Sequence, residues 1–152
     1  MEKQIEIIGC KIDFPIKKEM LFKSPEEKVR HEYIDRLINY YGFNINQIEQ
    51  DAKIKDVKNN RILAKADIVV WRSFEERKNK STPLIVVECK AEQVTIKAED
   101  YFKGTEFARL SHASFFVTTN QKQTRIFSKI FKIDKADNIS ELTEIKDIPH
   151  AN

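Results

Sequence analysis

At 152 residues, with 41% hydrophobic and 34% charged residues and only 3 Gly and 4 Pro, the chain reads as one soluble globular domain with a highly charged surface. No apolar run approaches the roughly 20 residues that a membrane helix needs, and the opening MEKQIEIIGC lacks the apolar core of a signal peptide, so a cytoplasmic protein with no membrane partner is expected. A net charge of +3, from 27 basic and 24 acidic residues, is too mild to demand a polyanionic partner and is compatible with a local basic patch.

Residues 1–23 read as an arm or short strands, carrying Ile5, Ile7 and Ile8. Ser24-Pro25-Glu26-Glu27 then offers an N-cap, a proline at the first helical position and a Glu three residues after the cap. The helix is expected to run to Tyr41 with Gly42 as its stop, and its apolar stripe is Val29, Tyr33, Ile34, Leu37, Ile38 and Tyr41. Residues 48–56 read as a half-buried strand with Ile48, Ala52 and Ile54 on one face, and a short helical turn through Ile45, Ile48 and Ala52 is the rival. After the turn signal Asn59-Asn60 come a strand at 61–72, a charged exposed loop at 73–82 and a strongly apolar strand at 83–91, PLIVVECKA. A helix over roughly 96–110 precedes strands at 114–119 and 123–128. Residues 24–131 thus form an α/β or α+β domain with helices packed on a sheet, followed by a tail at 132–152 that packs on it or extends it.

Cys10 and Cys89 form no metal or disulfide pattern, and Cys89 reads as a small buried side chain. His31, His112 and His150 lie at no metal-ligand spacing, so a structural zinc is not expected. The residues that carry chemistry stand elsewhere. Side chains two apart on a strand share a face, so Glu88 and Lys90 point together while Cys89 points away with Val87 and Ile85. If the two strands pair as a hairpin, Asp67 approaches Glu88. Two carboxylates at adjacent strand ends suit Mg²⁺, which takes hard oxygen ligands and keeps several waters, and the Cys89 carbonyl is a further candidate ligand. Lys90 beside them can orient an attacking water or offset charge on a phosphate. An ExK triplet is common in a chain this rich in Glu and Lys. Its weight comes from its place at the end of the most apolar strand, since setting two acids beside buried strands costs desolvation.

The segments SPEEKVRHEYIDRLINYYGF, ADIVVW, PLIVVECKAE and FARLSHASFFVTTN together resemble the N-terminal nuclease domain of type I restriction enzyme R (motor) subunits, from Ser24 to Phe127. The resemblance implies a restriction-endonuclease-like PD-(D/E)xK fold, a central mixed β-sheet flanked by α-helices, with Mg²⁺-dependent cleavage of DNA and Mn²⁺ as a substitute. It implies Asp67 and Glu88 as metal ligands and Lys90 as the catalytic lysine. It also matches Glu27 to an acidic helix residue that helps build the metal site, though Glu27 is equally the capping-box Glu. Arg30 falls inside the apolar stripe of the first helix, where an arginine is expected to pair with a carboxylate, one of the site acids being a candidate, and to lie near DNA. Where the family carries Gln-x-x-x-Tyr on the helix after the ExK strand, this chain has Lys103 and Phe107. Lys103 keeps a donor toward DNA and Phe107 keeps a ring without its hydroxyl.

The primary expectation is an endodeoxyribonuclease; the alternative is a DNA-binding or docking module of the same fold with little activity. The expected partners are DNA and the motor, specificity and methylation subunits of a restriction system, with a homodimer left open. No GxxxxGK[ST] phosphate loop is present, so a free-standing relative or an isolated nuclease domain is expected.

Overall fold

The computed structural model describes residues 4–12, 22–133 and 139–151. Among these, one seven-stranded sheet is formed by β1 (Ile5–Lys11), β2 (Ile48–Asp56), β3 (Ile62–Val70), β4 (Ile85–Cys89), β5 (Phe115–Thr119), β6 (Thr124–Ile133) and β7 (Ile139–Ile145). The strands lie across the sheet in chain order. All neighbours are antiparallel except β4 and β5. The helices are α1 (Pro25–Asn39), α2 (Phe74–Lys78) and α3 (Ala98–Ser111). A parallel pair needs a crossover, and α3 supplies it between β4 and β5. Of the expected arm, Ile5, Ile7 and Ile8 lie in β1, whereas residues 13–21 are outside the described residues.

The start of α1 follows its capping signal. Ser24 Oγ accepts the Glu27 backbone N–H at 3.1 Å, and Pro25 occupies the first helical position. The helix ends at Asn39, where the N–H groups of Tyr40 and Tyr41 both bond to the Arg36 carbonyl. Gly42 then turns the chain with φ +82°, a conformation that costs glycine nothing.

Two cores lie on the two faces of the sheet. Val29, Ile34 and Leu37 of α1 pack with Ile68, Val70, Ile85, Val87 and Cys89. Phe107 and Ala108 of α3 pack with Val69, Trp71, Val86 and Phe116. The alternation of Ile85, Val87 and Cys89 with Val86 shows the pleat directly. Each fully buried aliphatic side chain here contributes roughly 1.5–3 kcal/mol.

Strands β2 and β3 break that alternation once. Ile48, Ile68 and Val70 belong to the α1-side core, but Ala52, Ile54 and Ala66 belong to the α3-side core. The expectation that Ile48, Ala52 and Ile54 share one face is therefore corrected. The ladder pairs Gln50 with Ile68 and Ala52 with Ala66, and leaves out Asp51 and Asp67 between them. Asp51 has φ +51°, which reverses the faces of the residues beyond it.

The charged segment 73–82 is not the open loop expected. It contains α2, capped by Ser73, and it is tied to the sheet by Glu49. Arg77 Nε lies 2.8 Å and Lys80 Nζ 2.5 Å from that buried carboxylate. Gly9, at the irregularity of the β1–β2 ladder, makes room for it, because a Cβ there would fall 2.6 Å from Glu49 Oε1. Trp71 is fully buried, and its ring N–H donates to the Ser81 carbonyl at 2.8 Å. At the C-terminal end β7 extends the sheet and Ile148 enters the α1-side core. Among the described residues no helix is long and apolar enough to cross a membrane.

Candidate active site

The β3–β4 ladder runs antiparallel through the pairs Ile68–Val87, Val69–Val86 and Val70–Ile85. One residue beyond the Ile68–Val87 pair, the same register sets Asp67 across from Glu88. Both side chains line a cleft of about 490 Å³ with Lys90 and the Cys89 backbone, joined by Glu26, Asp51, Lys53 and Lys65. A larger cavity of about 930 Å³, lined in part by Tyr33, Arg36, Thr119 and Asp147, contains none of the expected site residues.

Asp67 is held in place by backbone. Its Oδ2 accepts the Cys89 N–H at 2.7 Å, a bond that fixes the carboxylate against the end of β4. Burial nevertheless pushes its pKa from 3.8 up to about 6; the Cys89 bond and Arg30 act in the lowering direction, while Glu88 and Glu26 add to the rise. Glu88 Oε1 lies 3.1 Å from Lys90 Nζ, whereas Glu88 Oε2 is buried without a hydrogen-bond partner. Lys90 is itself anchored through its N–H to the Thr119 carbonyl at 2.8 Å, which holds the end of β4 against β5. The Cys89 thiol is buried among apolar side chains, and that burial pushes its pKa well above the ordinary thiol value.

Helix α1 delivers two further charges. Arg30 Nη1 bonds to Asp51 Oδ1 at 2.5 Å, and its side chain is only 16% exposed, so the arginine in the apolar stripe does pair with a carboxylate. Glu26, one turn before Arg30 on the same helix face, lines the cleft. Glu27 does not line it; its carboxylate lies 3.9 Å from His31 Nε2, one turn along a different face. The α1 acid that lines this cleft is therefore Glu26, with Glu27 next to it in the first turn. The signal was available, since the residue four before Arg30 is Glu26.

The Phe107 ring is fully buried in the α3-side core. Lys103 lies in α3, but its side chain is outside the described residues. Strand alternation puts Lys65 on the face of Asp67, but it does not reach Asp51 and Lys53, because the face switch at Asp51 and Asp67 leaves no trace in the apolar pattern.

The donor set fits a small oxygen-seeking cation. One Glu88 oxygen is buried without a partner, and Asp67 sits among acids that raise its proton affinity. Among the described residues no group of three or more His, Cys, Asp and Glu is gathered at metal-ligand geometry. An ion here would rely on one or two carboxylates and keep much of its water, as Mg²⁺ does.

Together these features define a mixed α/β protein with a polar cleft of carboxylates and a lysine at the ends of two central strands. Residues 25–149 match the type I restriction enzyme R protein N terminus, and the chain belongs to that family. This ties it to restriction systems. No curated protein matches the sequence.

Proposed function

We propose that the chain is a PD-(D/E)xK-type endodeoxyribonuclease that hydrolyses phosphodiester bonds in DNA with Mg²⁺, or Mn²⁺ in its place. The observation that supports this most is the gathering of Asp67, Lys90 and the partnerless Glu88 oxygen in one cleft. Asp67 and Glu88 would hold the ion, with the Cys89 carbonyl as a further oxygen. When bound, the ion supplies positive charge against the phosphate and acidifies water.

The chain's own residues do the rest. The Cys89 N–H keeps one Asp67 oxygen occupied and so orients the other. Lys90, resting against Glu88, presents its ammonium to the phosphate, where it offsets charge that develops in the transition state and aligns the attacking water. Arg30 holds Asp51 at the cleft edge and favours the ionised form of Asp67. DNA is the substrate, and the motor, specificity and methylation subunits of a restriction system are the partners this reading assigns.

The test is plasmid cleavage with Mg²⁺, Mn²⁺ or EDTA, for the parent and for Asp67→Ala. Nicking or linearisation that needs the metal and disappears with Asp67 supports the proposal. A parent that cleaves under none of these conditions overturns it. A catalytically weak DNA-docking module is the second reading, favoured by Phe107, which has no hydroxyl and is buried away from the cleft. It predicts duplex binding without cleavage.

A further inference from the structure

Lys53 and Lys65 sit directly across from each other in the β2–β3 ladder, and both are exposed. Like charges placed opposite each other on an antiparallel pair destabilise it. Neither lysine has an ion-pair partner among the described residues, although Asp51 and Asp67 are two residues away along the same strands and carboxylates line the same cleft. Asp51 is taken up by Arg30 and Asp67 by the Cys89 N–H. Two ammonium groups therefore stand free at the mouth of a site whose acids already have other partners or suit a cation.

The surroundings extend the charge outward. From residue 51 to 65 the hairpin carries five basic residues (Lys53, Lys55, Lys58, Arg61 and Lys65) and two acidic ones (Asp51 and Asp56), a net +3 that equals the charge of the whole chain. The hairpin is built to hold its shape. The Asp56 N–H bonds to the Arg61 carbonyl at 2.8 Å, Asp56 Oδ1 accepts the Lys58 N–H at 2.9 Å, and Asn59 Oδ1 accepts the Arg61 N–H at 2.9 Å. At about 3.3 Å of rise per residue, Lys65 stands roughly 7 Å along the strand from Asp67. That distance keeps the ammonium off the carboxylates yet within reach of the same polyanion.

We propose that Lys53 and Lys65 form a phosphate clamp that grips the DNA backbone beside the scissile bond, with the β2–β3 hairpin as the arm along which the duplex lies. Lysine suits this task, because its ammonium is a point charge that engages phosphate without reading base edges. The face switch at Asp51 and Asp67 is what makes the clamp. It turns Ala52, Ile54 and Ala66 into the α3-side core and leaves Lys53 and Lys65 on the opposite, open surface. The inference rests on the nuclease reading for the identity of the polyanion.

The test measures binding and cleavage separately. A labelled DNA duplex is titrated in EDTA across a salt series with the full chain, with Lys53→Gln/Lys65→Gln, with Lys53→Arg/Lys65→Arg, and with Lys78→Gln as a control outside the cleft. Far-ultraviolet circular dichroism checks that each variant is folded. The slope of log K against log salt should lose about two units of magnitude in the double Gln variant and keep its value in the Arg and Lys78 variants. With Mg²⁺ the same double variant should show a raised KM and a nearly unchanged kcat. An unchanged slope in the double Gln variant overturns the clamp, as does a parent that binds no duplex. A parent that cleaves DNA while the slope ignores both lysines removes the clamp and leaves the nuclease reading standing. A parent that binds duplex but never cleaves it, with two units lost in the double Gln variant, keeps Lys53 and Lys65 as a grip on the DNA backbone and removes the nuclease reading.

Discussion

Asp67→Asn tests the site through stability as well as activity. Burial raises the folded-state pKa of Asp67 from 3.8 to about 6. Between those two values the folded chain holds a proton that the unfolded chain has released, so stability falls as pH rises through this window. Above about pH 6 the penalty is fully present. A shift of about two units corresponds to roughly 3 kcal/mol, an upper figure because the group is not completely enclosed. Asparagine removes the charge and retains an oxygen that can accept the Cys89 N–H, so Asp67→Asn should be more stable than the parent at pH 8 in EDTA, by about 1–3 kcal/mol. The gain should shrink to within about 0.5 kcal/mol at pH 3.5, where the aspartate is protonated in the folded state and mostly so in the unfolded one. Urea unfolding at the two pH values measures this. Saturating Mg²⁺ or Mn²⁺ should stabilise the parent and not the variant, because only the parent offers both carboxylates. An Asp67→Asn protein less stable than the parent at pH 8 would refute the argument, since it would mean that the carboxylate is well compensated in the metal-free fold.

Three further outcomes are expected. Lys90→Ala should lower cleavage by about two to three orders of magnitude while DNA affinity in EDTA changes little, because Lys90 is assigned to the transition state; a variant that cleaves like the parent removes that role. Glu26→Gln should weaken Mn²⁺ binding in calorimetry more than Glu27→Gln does, since only Glu26 lines the cleft; the reverse order would restore Glu27 to the site. Glu49→Gln should cost about 2–4 kcal/mol in urea unfolding, because it strips a buried anion from Arg77 and Lys80 and leaves them partly desolvated; a loss below about 0.5 kcal/mol would show that α2 is held by other contacts.

The convergence of Asp67, Glu88 and Lys90 was legible because strand alternation is a rigid rule and both strands announce themselves by their apolar runs. Once PLIVVECK is read as a strand, the shared direction of Glu88 and Lys90 follows, and a hairpin with the preceding strand brings Asp67 within reach. The helix α1 was legible for the same kind of reason, through its cap and its stripe. The choice between Glu26 and Glu27 was harder, because adjacent residues on a helix differ by about 100° and both stand in the first turn. The pairing of Arg30 with Asp51 shows on which side of α1 the cleft lies, and Glu26 is one turn before Arg30 on that side. The last strand escaped the pattern. Residues 139–145 pair with β6, but their apolar residues Ile139, Leu142 and Ile145 stand three apart in sequence, without the period of two or the continuous apolar run that marks a strand. The charged segment 73–82 looked solvated because composition does not reveal that the sheet offers it a buried carboxylate at Glu49.

The face switch in β2 and β3 shows why a site can be read from sequence while its surroundings cannot. Reading back from Ile68 and Val70, strict alternation sends Asp67 to the α3 side; reading forward from Ala66, it sends Asp67 to the α1 side. The residue stands where the two patterns collide, opposite Asp51 with its φ of +51°. A non-glycine residue in that region carries local strain, and such strain persists only where the surroundings over-determine it. Here the bond from Arg30 to Asp51 and the bond from the Cys89 N–H to Asp67 do so, one from the helix and one from the neighbouring strand. Replacing Arg30 would thus act at two places at once, removing a positive charge that restrains the rise of the Asp67 pKa and releasing the kink that keeps Lys53 and Lys65 at the open surface. A half-buried arginine at the edge of the apolar face of α1 is what this double demand requires, since no hydrophobic residue at position 30 could meet either half of it.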